Sequence, residues 1–362
     1  MRISMDNALI AGIEYDSNVV QQACVYDMSI REPAACEGVR GLTIEAAITE
    51  ICSRYGVAKP DSLCITTKAS SRSELDEIAL QLKEAGVPEE SYVITGPMES
   101  FAYYAYSQRK ELYKSGVVLM DYEDSAINIH RLSYNTINGL QYITEESRRY
   151  ITEDIIKDMA ECQRFTEYLE EYFKENMASA VYLTGKGFDV DRLPERLAKA
   201  LIRGRKAFTG QNLYVRGACF AAYEHMYEDV FDNVVLLVEG CIKVNIELDI
   251  SEHERPMRFR MIKQGTNWYM ADRSADFIIE DMNSITLRIT NIQGESKDKV
   301  IDISDIPYRE GKTTRIRLEV KLVSQNKCEI TIKDLGFGEL FKSSGRVITQ
   351  ELDLSEADVW VQ

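Results

Sequence analysis

The stretch VVLMDYEDSAINIHRL, residues 117–132, decides how this chain is read. Val117 to Met120 is apolar and reads as a buried strand ending at Asp121, and Ser125 to Leu132 alternates as its hairpin partner would. A tight turn between two strands can hold phosphate only through its backbone N–H groups. Such a turn needs glycines, because only glycine lets backbone N–H groups approach phosphate oxygens closely. Here the turn is Tyr122-Glu123-Asp124-Ser125, bulky and doubly acidic. The hairpin of a phosphate loop is expected, without its chemistry.

Working outward, 362 residues are enough for two or three domains, each with its own core. A net charge of −16 and a pI near 4.9 argue against nucleic-acid or anionic-membrane partners. No apolar run approaches the roughly 20 residues of a membrane span. The start, MRISMDNALIAG, has one basic residue and too short an apolar core for a signal peptide. Eight cysteines without C-x-x-C pairs suggest neither zinc nor a disulfide framework. They read as small core residues in a reducing compartment, so a cytoplasmic protein is expected. His130, His225 and His253 are dispersed, and no nucleophile–His–Asp constellation is visible.

The first half alternates strands and helices. Ala8–Ile13 and Val19–Tyr26 form an expected hairpin with Glu14 to Asn18 as its turn. A helix capped by Thr43 runs to about Arg54. Ser62–Thr67 is a short strand, Ser73–Glu84 a helix stopped by Gly86, and Tyr92–Thr95 another strand. Pro97 opens a helix reaching about Tyr113. Beyond the 117–132 hairpin come a helix over Glu153–Glu175, a strand at Ala180–Thr184, and the turn Gly185-Lys186-Gly187-Phe188. A helix Leu193–Leu201, a strand Leu213–Val215 and a helix Gly217–Tyr227 complete an α/β region. From about Val244 the pattern turns period-two, at 244–248, 285–292, 315–323 and 327–333, with turn signals such as Gln293-Gly294 between the runs. That predicts an all-β sandwich. Asp232-Asn233-Val234-Val235-Leu236-Leu237-Val238 lies between the halves.

In this order the pieces resemble the 70-kDa heat-shock (DnaK-type) chaperones, which join an actin-like ATPase domain to a peptide-binding β-sandwich. ITGPMESFAYYAYSQRKELYKSGVVLMDYEDSAINI is similar to that family's first hinge helix and second phosphate hairpin. NLYVRGACFAA resembles the second hinge helix, whose Gly217, Ala218, Ala221 and Ala222 permit close packing, and VYLTGKGF resembles the adenosine-site turn. DNVVLLVE is similar to the apolar interdomain linker, and the stretches from Met261 to Glu295 and Asp302 to Glu339 resemble the sandwich strands. The outer lobes of both halves look reduced, and no helical lid is expected.

The resemblance implies a nucleotide site at Gly12, Glu14, Asp16, Ser17, Asp121, Glu123, Ser125, Asn128, Gly185, Lys186 and Gly187, and it also implies that the site is vestigial. Glu14 stands where the family has Asp, and Asp16 where it has a glycine facing phosphate. Thr95-Gly96-Pro97 replaces N-E-P, so the carboxylate near the attacking water is gone. Glu123, Asp124 and Ser125 replace glycines after Asp121, and Asn128 replaces a second Asp. Phosphoryl transfer needs phosphate-cradling N–H groups, a metal and a positioned water. Acidic turns instead set like charges beside a triphosphate, each pair costing roughly 1 kcal/mol in water and about 4 in a surface-like dielectric. In the sandwich, the family's peptide pocket corresponds to Met257, Phe277, Met282 and Leu287. The preceding Ser251 to Pro256 is far more polar than the family's glycine-rich arch, and Trp268-Tyr269 reads as an exposed aromatic pair.

The expectation is therefore an α/β actin-like (ribonuclease H-like) ATPase-type domain over 1–231, in halves of about 1–115 and 116–231. A linker at 232–243 and a β-sandwich over 244–362 follow. The expected function is that of a DnaK-like pseudo-ATPase acting through protein or peptide clients, as adaptor, scaffold or nucleotide-independent holdase. No catalytic residue, metal or cofactor is expected, and no nucleic-acid or membrane partner. One alternative is a divergent ATP-driven chaperone using ATP or ADP with Mg²⁺; another is an actin-like self-assembling scaffold.

Overall fold

The computed structural model describes residues 8–355 except 124, 138, 153, 189–192, 228–230, 232 and 281. Asp124 of the opening turn and Asp232 of the expected linker thus lie outside the described residues. The chain divides into two units, Met1–Ala69 with Glu77–Glu239, and Ser70–Asp76 with Gly240–Gln362.

In the first unit β1 (Ile10–Asp16) and β2 (Val19–Asp27) form the expected hairpin, but both strands run further than their sequence suggests. Only Ser17 and Asn18 make the turn, at φ 53° and 62°, a left-handed pair suited to a two-residue hairpin. Glu14 and Asp16 are therefore strand residues, alternating with buried Ile13 and Tyr15, rather than turn residues. β3 (Glu32–Ala35) pairs with β2. Helix α1 (Ile44–Tyr55) begins as expected at Thr43, whose hydroxyl accepts from the Ala46 N–H, and ends at Gly56 in the left-handed region. β4 (Ser62–Thr66), α2 (Arg72–Glu84), β5 (Tyr92–Thr95) and α3 (Pro97–Tyr106) follow; α3 stops well short of the expected Tyr113. The sheet order is β3-β2-β1-β4-β5, with β4 and β5 parallel to β1.

The second half repeats that plan. β6 (Val117–Glu123), β7 (Ala126–Ile137) and β8 (Leu140–Ile151) form an antiparallel meander, and β9 (Ala180–Thr184) and β10 (Lys206–Thr209) lie parallel to β6. Read from β8, the order β8-β7-β6-β9-β10 matches the first sheet strand for strand. β8 lies before the expected helix, in a stretch for which no strand was expected: its Glu145, Glu146, Arg148 and Arg149 hide the strand, but Glu145 and Glu146 pair with His130 and Arg131 of β7. α4 (Met159–Glu175) starts six residues later than expected, at Asp158, whose carboxylate caps Ala160 and Glu161. Tyr150 of β8 and Phe165 and Leu169 of α4 pack with Met120, Ile127 and Leu183 in one core.

After α5 (Glu195–Ile202), α6 (Leu213–Tyr227) takes up Leu213–Val215, expected to be a strand. Val215, Ala218, Cys219 and Ala222 lie on one helical face, which returns to the first half and packs on Ile10, Cys24 and Cys64. α6 crosses α3 so closely that a Cβ on Gly217 would collide with the Ser100 carbonyl. β11 (Val234–Leu237) pairs parallel with Gln141–Thr144 of β8 as the sixth strand of the sheet.

The second unit contains two four-stranded antiparallel sheets. One is ordered β13-β12-β15-β16, from β12 (Asn245–Glu252), β13 (Arg255–Ile262), β15 (Ser284–Thr290) and β16 (Ser296–Asp302). The other is β14-β17-β18-β19, from β14 (Arg273–Ile279), β17 (Thr314–Ser324), β18 (Lys327–Asp334) and β19 (Val347–Asp353). Inward residues alternate as the sequence predicts, for example Ile316, Leu318, Val320 and Leu322 against Cys328, Ile330 and Ile332. At one end of β18 the buried Arg309 guanidinium donates two bonds to the Asp334 carboxylate, 2.8 and 2.7 Å, while the Gly336 and Ser344 N–H groups donate to the same side chain. Seven of the eight free cysteines are buried, Cys36 being the exception. Among the described residues no helix is long and apolar enough to cross a membrane.

Candidate functional site

The C-terminal ends of β1, β4 and β6 meet where the two halves of the first unit face each other, the position at which open parallel sheets place their ligands. Glu14 and Asp16 come from β1, Asp121 and Glu123 from β6, and Lys68 from the segment after β4. The Lys68 ammonium donates to Glu123 at 2.7 Å, tying the first half to the second. Both side chains are about 44% exposed, so the pair taken singly contributes at most about 1 kcal/mol. Tyr214 of α6 donates its hydroxyl to Asp121 Oδ2 at 2.8 Å, a second polar tie. Asp121 is only 7% exposed, and its Oδ1, like Glu14 Oε2, is buried without a hydrogen-bond partner among the described residues.

Electrostatics follow from this crowding. Burial pushes the Glu14 carboxyl up to about 7; Lys68 opposes the shift, while Asp16, Asp121 and Glu123 add to it. Burial likewise raises Asp121, against the Tyr214 hydrogen bond, and raises Asp16 against Lys68. Burial pulls Lys68 down, but its bond to Glu123 and the charges of Glu123, Asp121 and Asp16 outweigh that and raise it. Lys68 and Tyr214 were missed in the sequence: Lys68 closes a parallel strand, and Tyr214 was hidden by a misassigned strand.

The remaining predicted residues fall into two groups. Gly12 lies under α6, where a Cβ would meet the Cys219 backbone, so its glycine serves helix–strand packing. Gly185, at φ +90°, backs onto the Tyr122 carbonyl and Asp121 Oδ1, and Gly187 lies against the Tyr122 ring. Tyr122 is itself buried in β6, stacked edge-on with Phe188, so the expected bulky turn is two further strand residues. These glycines are thus filled by the protein's own side chain and backbone. Ser17, Ser125 and Lys186 are exposed at the rim, and Asn128 sits opposite Asp121 on β7.

The residues present do not fit a magnesium nucleotide. Tyr122 fills the cradle at Gly187, two carboxylate oxygens already lack partners, and four acids face one lysine where a polyphosphate would add negative charge. Among the described residues no group of three or more His, Cys, Asp or Glu is arranged to hold a metal ion.

In the second unit Met257, Phe277 and Met282 line a groove of about 670 Å³ together with Ile250, Phe259 and Ile316. Phe259 and Phe277 meet edge-on at 5.4 Å. Leu287, predicted for this groove, is fully buried: it lies two residues deeper than Ile285 on the inward face of β15. The polar arch expected before Met257 is a tight hairpin, with His253 and Glu254 alone at its tip, both at positive φ. Trp268 is buried rather than exposed. At the rim, Asp249 faces Arg258 and Arg288, and Asp276 is held at about 2 by hydrogen bonds from Arg317 and Arg315.

The duplicated β3-β2-β1-β4-β5 plan, joined by α3 and α6, is that of the actin-like ATPase fold. Solved structures sharing this fold align with about 60% of the chain. They include a ROK hexokinase from Thermus thermophilus (TM-score 0.38, 11% identity, 60% of this chain and 99% of that one). The activator of 2-hydroxyisocaproyl-CoA dehydratase from Clostridium difficile aligns at TM-score 0.36 and 8% identity, over 62% of this chain and 97% of its own. The ethanolamine utilization protein EutJ from Carboxydothermus hydrogenoformans aligns at TM-score 0.36 and 11% identity, over 59% and 90%. The chain belongs to the family of unknown function DUF5716, whose C-terminal profile matches residues 40–239. Residues 241–354 match a domain of unknown function, DUF8552. No curated protein matches the chain.

Proposed function

We propose that this protein is a nucleotide-independent interaction module, a DnaK-like pseudo-ATPase in which the actin-like unit is a scaffold without a nucleotide cycle and the sandwich groove takes an extended apolar segment of a protein client. The observation that carries this reading is the self-filled cleft, with Lys68 tied to Glu123, Tyr214 to Asp121, and Tyr122 packed on Gly187. A client role is supported by the groove's adaptable lining, since Met257 and Met282 are substantially exposed beside aromatic Phe259 and Phe277. Its function is that of an adaptor, scaffold or holdase, with no hydrolytic cycle.

Calorimetric titration with ATP and ADP in the presence of Mg²⁺ tests the first half of the reading. No heat of binding is expected; saturable binding abolished by Asp121→Ala would favour an ATP-driven chaperone instead. Polarisation of fluorescent apolar peptides tests the second half. Binding should weaken at least tenfold in Met282→Asp, an exposed position whose substitution leaves the core intact. Peptide affinity unchanged in that variant would remove the groove from the proposal.

A further inference from the structure

The seam between the halves holds more negative charge than it can neutralise. Glu14 and Asp16 of β1 face Asp121 and Glu123 of β6, with Lys68 the one cation acting on all four among the described residues. Among the described residues, Gln22 stands opposite Glu14 on β2 with Cys24 beyond, Thr66 beside it on β4, and Tyr214 and Cys219 on α6; Arg216 of α6 acts on Cys24 but is paired with Glu32, and His130 of β7 acts on Asp121. One oxygen of Glu14 and one of Asp121, from opposite halves, are buried without hydrogen-bond partners among the described residues. A seam of this kind holds together better with one carboxyl protonated than with all four ionised.

We propose that Glu14 is a proton-operated latch: protonated, it lets the halves stay closed through Lys68–Glu123 and Tyr214–Asp121; ionised, it loosens that closure. This regulatory device rests on the nucleotide-independent reading above, because a cleft closed by its own residues needs another signal to open. Its direction follows from linkage. Opening returns Glu14 to water and to an ordinary carboxyl affinity, so the closed seam binds more protons and loosens as pH rises. The Glu14 carboxyl sits at about 7 when closed, so the opening constant should rise about tenfold between pH 6 and pH 8.

Hydrogen exchange by mass spectrometry on the full chain, corrected for intrinsic rates, reads that constant in peptides covering residues 14–20, 66–70 and 119–127. Wild type should exchange about tenfold faster at pH 8 than at pH 6 in these segments. Glu14→Gln should be protected equally at both, and Lys68→Met fast at both. PH-independent protection in wild type, or a Glu14→Gln variant that follows wild type, overturns the latch. Calorimetry with Mg²⁺ and ATP on the same samples separates the two ideas. Nucleotide binding at either pH would overturn the underlying reading while the exchange result still decides the latch.

Discussion

Replacing Asp334 with Asn should cost the second unit about 3–4 kcal/mol, because it leaves the Arg309 guanidinium buried with its charge unpaired. Both side chains are almost wholly inaccessible, at 7% and 0% exposure, and the pair is bidentate. Asp334 also anchors the following segment through the Gly336 and Ser344 N–H groups, so the substitution weakens four bonds at one carboxylate. The chain has two tryptophans, Trp268 and Trp360, both after Gly240, so tryptophan fluorescence, excited selectively over the 20 tyrosines, reports on the second unit. Urea unfolding followed by that fluorescence should show the midpoint falling by about 2 M with an unchanged slope, taking a slope of roughly 2 kcal/mol/M. The pH dependence carries a sign. Hydrogen bonds from Arg309 outweigh burial and hold the Asp334 carboxyl well below its ordinary range. The pair's stabilisation is therefore complete above the unfolded carboxyl's pKa, about 3.9, and is lost as pH falls toward the depressed folded value. The gap between wild type and variant should stay constant from pH 8 to 5 and shrink below 4. A loss under 1 kcal/mol, or a gap as large at pH 2 as at pH 7, would refute the reasoning. The double replacement Arg309→Met with Asp334→Leu should recover part of the loss, since it leaves no buried charge unpaired.

Two further outcomes are expected in the first unit. Gly217→Ala sets a methyl group against the Ser100 carbonyl where α6 crosses α3, and should destabilise by at least about 2 kcal/mol in helical circular dichroism melts. A loss within error would mean the helices separate easily. Thr43→Ala removes the cap on Ala46 and should cost about 1 kcal/mol by the same assay, with Thr43→Ser restoring it; equal stability of all three proteins would remove the cap from the account.

The alternation of strands and helices, the cap at Thr43 and the period-two strands of the second unit were legible because each rests on local pattern. Boundaries failed where a polar residue had a tertiary reason to be in a strand. Glu14, Asp16 and Glu123 read as turn residues, yet each extends its strand into the seam. β8 stayed hidden because its Glu145 and Glu146 pair with His130 and Arg131, partners distant enough in sequence to leave no periodic trace. Leu213–Val215 looked like a strand because apolar residues so close together fit either period. Within the site, the acids were visible and their counter-ion was not. Lys68 is one lysine among many until the fold brings the segment after β4 to the end of β6. Leu287 was placed in the groove by the resemblance, and a correspondence of position carries no information on how deep a residue lies along its strand.

The pairing of β11 with β8 bears on how the first unit can be handled in isolation. A piece cut at residue 231 would lose its sixth strand and leave Gln141–Thr144 with a row of unpaired backbone groups on an open sheet edge. Such an edge recruits other chains, so that piece should be more prone to strand-mediated aggregation than one carried through Glu239, in which Gln141–Thr144 stay paired with the short edge strand Val234–Leu237. The residues that lead into the second unit thus also act as the first unit's guard against sticking to its own kind.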